Sequence, residues 1–296
     1  MSVEFCGLQL AHPVINGSGT FDALAARRAF GAAPDAGFPF AAYVSKTITL
    51  EPRSGNPPPR LWEAPGGLVN SIGLPNKGLA GYLAEDLPAL ATLPVPLITN
   101  VMGSTAAEIA ELLEACSSRS EIAAVELNVS CPNVKTGLDI GADPHQLEEV
   151  VRAIRPHTDK PLIVKLTPNA ADVAACAQAA EAGGANAVSL INTLRALALE
   201  PVSRSSPSVT LTPGPWLGGG TGGLSGPAIR AVALAQVAAV AERVQVPVIG
   251  MGGVSRASHA RDLLDVGARL VAVGTESFRD PTVGARIARG LESAAG

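Results

Sequence analysis

Short apolar runs alternate along the chain with Ala-, Leu- and Glu-rich stretches of helical pattern. The runs span 13–17, 41–49, 96–103, 124–130, 161–167, 187–193, 247–253 and 270–275. Each has the length of a strand and is apolar on successive residues, the pattern of a parallel strand buried on both faces. The segments between them carry helix starts. Thr105 and Glu108 stand at capping-box spacing. Asp143 and Asp280 each precede a proline, Pro144 and Pro281, suited to the first helical position. Asn169 and Ser255 are expected to cap two further helices. Eight strand–helix units without a break in composition predict an α/β fold, a closed (β/α)8 TIM barrel forming a single domain over residues 1–296. The competing architecture, a doubly wound open sheet, usually carries a glycine-rich turn after its first strand. Here Gly17-Ser18-Gly19 runs into Thr20-Phe21, without the third glycine of the dinucleotide fingerprint.

Two stretches, 51–75 and 195–226, are rich in Pro, Gly and Ser and are predicted to be long functional loops. Both follow strands on the face where such barrels keep their chemistry. They hold Trp62 and Trp216, each placed to cover a site or to face a partner.

Composition narrows the function. Apolar residues make up 47% and charged residues 16%, which describes a chain that buries most of itself; aromatic residues, at 3%, leave the core to Ala, Val, Leu and Ile. A net charge of −4 with scattered Lys and Arg offers no footprint for nucleic acid. No stretch of about 18 apolar residues predicts a membrane span, and residues 1–5 do not read as a secretory signal, so the cytoplasm is expected. The four cysteines, Cys6, Cys116, Cys131 and Cys176, form no CxxC pair, which argues against zinc, an iron–sulfur cluster or a disulfide within this chain. Cys6, Cys116 and Cys176 are expected to be small buried residues. The four histidines lack metal-ligand spacing, and no metal site is predicted.

The strand ends carry polar residues that a packed core does not need. They are Ser45-Lys46-Thr47, Thr99-Asn100, the alternating Glu126, Asn128 and Ser130 followed by Cys131, Lys165 and Thr167, and Asn192-Thr193. Two lysines and three asparagines converging on one mouth point to a polar, anionic, planar ligand. Glu126 is expected to be structural, pairing with a lysine or orienting a neighbour. The last two strands end in glycine, at Gly252-Gly253 and Gly274-Thr275. There, backbone N–H groups and helix N-termini can meet a phosphate, which implies a phosphate-bearing cofactor.

Taken together, Asn70-Ser-Ile-Gly-Leu74, Asn128-Val-Ser-Cys-Pro-Asn133, Lys165-Leu-Thr-Pro-Asn169, Ile191-Asn-Thr193, Gly222-Gly-Leu-Ser-Gly226 and Gly250-Met-Gly-Gly253 resemble the class 1 dihydroorotate dehydrogenases, in order and along nearly the whole chain. That resemblance implies FMN-dependent oxidation of dihydroorotate to orotate in pyrimidine biosynthesis. It makes Cys131 the base that takes a proton from C5 while a hydride passes from C6 to the flavin, with Ser130 and Asn133 as polar neighbours and 133–143 as a lid. Substrate binding falls to Lys46, Asn70, Ser71, Ile72, Gly73, Leu74, Asn128, Asn192 and Thr193, with Lys46 suited to the carboxylate. FMN contacts fall to Ser18, Lys46, Thr47, Asn100, Asn128, Lys165 and Ile191, and to Gly226, Gly252, Gly253, Gly274 and Thr275. Lys165 is placed near the flavin edge that becomes anionic on reduction.

Within the family, Gly55-Asn-Pro-Pro-Pro-Arg60 and Cys131-Pro-Asn-Val-Lys-Thr-Gly137 resemble the NAD-linked class 1B branch. There the barrel chain holds FMN alone, and a separate subunit with FAD and a 2Fe–2S cluster passes electrons to NAD, in a heterotetramer built on a homodimer of barrels. Pro75 resembles instead the fumarate-using class 1A branch, and residues 200–220 match neither. Two other readings share these residues. A flavin barrel acting on another dihydropyrimidine is opposed by the Asn70–Leu74 loop and Lys46, or by the acidic balance where the substrate is tRNA. A non-catalytic flavin-binding subunit would have no reason to keep Cys131, Lys165 and Lys46 together.

Overall fold

Strands buried on both faces need a layer on each side, and the chain supplies a filled interior and a shell of helices. The computed structural model describes residues 2–30, 37–129, 140–200 and 213–293. Its strands are β1 (Val3–Phe5), β2 (Leu8–Leu10), β3 (Val14–Asn16), β4 (Tyr43–Val44), β5 (Leu61–Ala64), β6 (Gly67–Asn70) and β7 (Leu97–Val101). They continue with β8 (Ile122–Asn128), β9 (Leu162–Lys165), β10 (Ala187–Leu190), β11 (Leu194–Ala196), β12 (Gly222–Ser225), β13 (Val248–Met251) and β14 (Leu270–Val273). All eight apolar runs become strands of one parallel sheet, in the order β3-β14-β13-β10-β9-β8-β7-β4. With helices following the strands, this is the expected (β/α)8 barrel.

Side chains alternate across this sheet with period two. Ile15, Val44, Ile98, Ala124, Ile163, Ala187, Ile249 and Leu270 fill the interior, while Val14, Tyr43, Leu97, Val125, Leu162, Val188, Val248 and Val271 pack outward under the helices. The antiparallel β1–β2 hairpin sends Phe5 and Leu10 into the inner cluster, so one end of the barrel is plugged with apolar side chains. One step further along the strands the inward positions turn polar: Asn100 follows Ile98, Glu126 follows Ala124, Lys165 follows Ile163 and Ser189 follows Ala187. The apolar layer thus ends where the candidate site begins.

The barrel closes between its first and second strands by a side chain. Ala41 N–H donates to the Val14 carbonyl at 2.9 Å. Beyond that the ladder is replaced by Asn16, whose Nδ2 donates to the Val44 carbonyl at 2.8 Å while its Oδ1 accepts from Val44 N–H at 2.8 Å. Asn16 is fully buried, so no solvent could take over these bonds.

The helix starts mostly follow their capping residues. Thr105 accepts from Glu108 N–H at the head of helix Ala106–Ser117, and the Glu108 carboxylate reaches Ser104 N–H, one residue outside the expected box. Asp143 caps helix Pro144–Ile154, and Asp280 accepts from Thr282 N–H just before helix Val283–Ser293. Two expectations are corrected. Helix Val173–Ala182 is capped by Asp172, because Asn169 spends its amide on Thr167 and the Thr193 carbonyl. Helix Ala257–Asp265 has no side-chain cap, and Ser255 turns to His259 instead.

The largest correction concerns the two supposed loops. Segments of both fold into a four-stranded antiparallel sheet, ordered β11-β12-β6-β5. Val69, Ala198 and Leu217 form its own small apolar core, against which Trp62 and Trp216 meet edge to face with ring centroids 5.7 Å apart. The two indoles pack on each other. Cys116 and Cys176 are buried as expected, and burial pushes the Cys116 thiol up to about 12. Cys6 is half-buried, raised to about 11 by burial and by the nearby Glu4 carboxylate.

Replacing Asn16 with Leu removes both closing bonds and strands the buried Val44 N–H and carbonyl. We expect a loss of about 2–4 kcal/mol, read as a lower urea midpoint of the purified chain; an unchanged midpoint would show that the seam holds without the amide.

Candidate active site

The polar upper layer of the barrel and the four-stranded sheet enclose a cavity of about 360 Å³ at the C-terminal mouth, within the size range of small-molecule sites. Its floor is built by register. β8 and β9 pair Glu126 with Ile163 and Asn128 with Lys165, so the Asn128 and Lys165 side chains stand beside each other at the mouth. Lys165 is only 7% exposed, and no acceptor among the described residues is bonded to its ammonium. An ammonium held out of water without a partner is costly, so this position is built for a ligand that brings an acceptor. Lys46 also lines the cavity, and among the described lining residues the one carboxylate is that of Glu276. The site is cationic in a chain that is acidic overall.

Beneath this floor lies a buried network. Asn100 Nδ2 donates to Glu126 Oε1 at 2.5 Å, and Ser189 Oγ donates to Glu126 Oε2 at 2.8 Å. Glu126 therefore orients a neighbour rather than pairing with a lysine. The bond to Glu126 fixes which way the Asn100 amide is turned, and it leaves Asn100 Oδ1 buried with no partner among the described residues. An orphaned acceptor in a fully buried amide is the mark of a site awaiting a donor.

At the opposite side of the mouth three glycine turns converge. Gly226 precedes helix Arg230–Ala241 through a short 3-10 turn, Gly252-Gly253 follow β13, and Gly274 opens the 3-10 turn Thr275–Phe278. Gly226 and Gly253 have φ of 90° and 68°, which disfavour any β-carbon. A β-carbon on Gly253 would come 3.0 Å from the Gly226 carbonyl, and one on Gly226 would come 3.5 Å from Thr275 Cγ2, so the three turns are in contact. Thr275 Oγ1 donates to Ser225 Oγ at 2.8 Å, tying this cradle to the covering sheet. Backbone N–H groups at short-helix starts suit a phosphate, and Glu276 is the one acidic side chain in these turns.

Almost every residue expected at the site is there. Ser18, Lys46, Thr47, Asn70, Asn128 and Lys165 line the cavity, with Ile72, Gly73 and Leu74 from the loop after β6, Ile191, Asn192 and Thr193 from the end of β10, and the five cradle residues Gly226, Gly252, Gly253, Gly274 and Thr275. Two are not in its wall. Ser71 is fully buried and turns away, its hydroxyl donating to the Thr221 carbonyl at 2.9 Å and accepting from Asn56 Nδ2 at 3.0 Å, so it holds the loop rather than a ligand. Asn100 lies one layer below, in the network with Glu126. Cys131, Ser130, Asn133 and positions 133–139 of the expected lid lie outside the described residues, as do 201–212 of the unmatched loop. Leu74 is held at φ 53°, a left-handed conformation that costs a residue with a β-carbon about 1–2 kcal/mol.

Several lining residues were missed in the sequence, and three of them shape the site. Gly19, at φ 70°, approaches Lys46 so closely that a β-carbon would sit 2.8 Å from Cδ and 3.0 Å from Nζ. Gly223 leaves the room that the Thr193 side chain occupies, and Ser225 anchors Thr275. Gly19 was visible as part of Gly17-Ser18-Gly19 but was weighed only as a dinucleotide signal.

A closed barrel with glycine turns converging at its mouth and, among the described residues, a lysine without an acceptor on its floor has the build of a β/α-barrel enzyme with its site at the C-terminal face. Comparison with known proteins narrows this. A family model for dihydroorotate dehydrogenase matches residues 1–294. The dihydroorotate dehydrogenase B (NAD(+)) catalytic subunit of Pelobacter propionicus is 45% identical over 293 residues, covering 99% of this chain and 92% of that protein. Proteins of the same description from Geotalea uraniireducens and Trichlorobacter lovleyi are 43% and 44% identical, with the same shares covered. The chain belongs to the dihydroorotate dehydrogenase family, and the resemblance carried by its motifs is borne out.

Glu126→Ala should cost about 2–4 kcal/mol by leaving the Asn100 amide and Ser189 hydroxyl buried without an acceptor. Glu126→Gln should recover most of that, because the Ser189 hydroxyl can turn to accept from the new amide. Equal denaturation midpoints for the two variants would contradict the network.

Proposed function

We propose that this chain is the catalytic subunit of an NAD-linked dihydroorotate dehydrogenase, oxidising dihydroorotate to orotate with FMN in the barrel mouth. The observation that carries the reading is the buried Lys165 ammonium, without an acceptor among the described residues, set across the mouth from the glycine cradle. A cofactor with a phosphate at one end and an electron-rich ring at the other fits both. The orphaned Asn100 Oδ1 fits the same group, since an imide N–H supplies the donor it lacks.

In this reading Gly226, Gly252, Gly253, Gly274 and Thr275 hold the FMN phosphate, and Ser18, Thr47, Asn100, Ile191 and Lys165 hold the rest. When bound, FMN supplies the acceptor for the hydride leaving C6 of the substrate. Lys165 stabilises the negative charge that accumulates beside it, a stabilisation greatest after transfer and therefore favourable to it. Lys46 binds the substrate carboxylate. Asn70, whose Nδ2 donates to the Gly223 carbonyl at 3.1 Å, keeps its Oδ1 for a ring N–H. Asn128, Asn192 and Thr193 bind the rest of the ring, and the Ile72–Leu74 loop closes over it. Cys131 takes the proton from C5; this assignment rests on the Asn128–Asn133 motif.

Electrons then leave through a separate subunit, as the words "catalytic subunit" in the relatives' names imply for those proteins. That subunit would carry FAD and a 2Fe–2S cluster, joined to a homodimer of barrels in a heterotetramer. Leu61 and Phe278 line the rim and are 52% and 59% exposed, an apolar edge that suits a partner approaching the mouth.

Anaerobic addition of dihydroorotate to the FMN-loaded chain should bleach the flavin; no bleaching would remove the substrate assignment. Cys131→Ser should retain FMN and lose turnover at neutral pH by about 100-fold or more, and near-normal turnover would relieve Cys131 of its role. Lys165→Ala should weaken FMN binding or slow flavin reduction, so unchanged affinity together with an unchanged reduction rate would sink that assignment. Gly19→Ala should push Lys46 aside and raise the dissociation constant for orotate, measured by titration, while leaving FMN bound.

A further inference from the structure

Ser255 lies two residues beyond the Gly252-Gly253 turn and lines the cavity at the cradle. It is not a helix cap. Its Oγ stands 3.2 Å from His259 Nδ1, one turn into helix Ala257–Asp265. On the other edge of the ring, Arg256 Nε donates to His259 Nε2 at 2.8 Å. A guanidinium has donors and no acceptor, so Nε2 must present a lone pair. The neutral imidazole then carries its one proton on Nδ1, facing Ser255 Oγ, with the Gly253 carbonyl also in reach of the ring.

The surroundings favour that neutral form. Burial, followed by the charges of Arg230 and Arg256, holds the imidazole below its ordinary range. Arg230, on helix Arg230–Ala241, is itself paired with Asp262. Arg286, from helix Val283–Ser293, donates to the Ser255 carbonyl at 3.3 Å and pins the backbone there. With Nδ1–H donating to it, the Ser255 oxygen has its own hydrogen left to give. Among the described residues the His259 ring is the hydroxyl's one hydrogen-bond partner. The Ser255 hydroxyl is thus a donor without an acceptor, held at the wall of the cradle.

We propose that Ser255 donates a hydrogen bond to the cofactor phosphate and that His259 is a positioning residue, set in one tautomer by Arg256, which turns the hydroxyl that way. The proposal rests on the FMN reading and adds a side-chain ligand to a cradle otherwise made of backbone. His259 acts on the phosphate only through Ser255.

The test compares FMN with riboflavin, which lacks the phosphate. Flavin fluorescence is titrated with the flavin-stripped full chain as wild type, Ser255→Ala, His259→Phe, His259→Asn and the Ser255→Ala/His259→Phe double variant. One hydrogen bond to a charged group corresponds to about tenfold or more in affinity. Ser255→Ala and His259→Phe should each raise the FMN dissociation constant by about that factor, with riboflavin binding unchanged, which also shows that the variants fold. His259→Asn, whose amide N–H can replace Nδ1–H, should bind FMN nearly as the wild type does. The double variant should be no weaker than Ser255→Ala alone. An FMN affinity unaltered in Ser255→Ala, equal losses for FMN and riboflavin, or additive losses in the double variant would each overturn the proposal. A wild-type chain that binds riboflavin as tightly as FMN would overturn it too, by removing the phosphate from recognition. Binding of neither flavin by the wild type would instead strike the cofactor reading on which it rests.

Discussion

The mouth of this barrel depends on how its first and second strands are joined. β3 and β4 are too short to share a full ladder, and the Asn16 amide completes it by bonding both polar groups of the Val44 peptide. Two residues beyond that seam stand Ser18 on one side and Lys46 on the other, both in the cavity wall. A barrel open at this edge would have no reason to hold them opposite each other. The seam therefore sets the width of the site as well as the stability of the sheet, and a buried amide does this because it supplies a donor and an acceptor in one rigid plane.

Above the seam the interior changes character within one step of the strand period. The apolar layer of Ile98, Ala124, Ile163 and Ala187 gives way to Asn100, Glu126, Lys165 and Ser189. Polar groups this deep destabilise unless they are matched, and the chain matches most of them. Glu126 accepts from both Asn100 and Ser189, and what remains unmatched in this layer among the described residues is the Lys165 ammonium and the Asn100 carbonyl oxygen. Within this layer, among the described residues, the two unsatisfied groups lie beside and beneath the cavity, which is the arrangement expected where ligand binding completes the hydrogen bonding that folding leaves open.

Much of this was legible in the residues. Eight doubly buried strands announce themselves as continuous apolar runs, and polar residues at their ends have no structural reason to be there. The covering sheet was not legible. Gly222–Ser225 and Leu194–Ala196 are short and pair with each other, with little strand propensity in the glycine-rich member, and the other partner of Gly222–Ser225, β6, lies about 150 residues away, as the Leu224 to Val69 pairing shows. Pairing of Gly222–Ser225 to β6, and of Leu194–Ala196 to Gly222–Ser225 in turn, makes them strands. The mistaken caps have a local cause. Asn169 had a better use between Thr167 and Thr193, and Asp172, nearer the helix, took the cap. Ser71 was read with its motif, and a motif does not say which of its side chains turns inward.

The most direct test is a crystal structure of the full chain with FMN and orotate. The account predicts the phosphate among Gly226, Gly253 and Thr275, the ring system within reach of the Lys165 ammonium, and the orotate carboxylate at Lys46 beneath the Ile72–Leu74 loop. A flavin bound with its phosphate elsewhere, or with Lys165 touching neither cofactor nor substrate, would contradict the account at its centre.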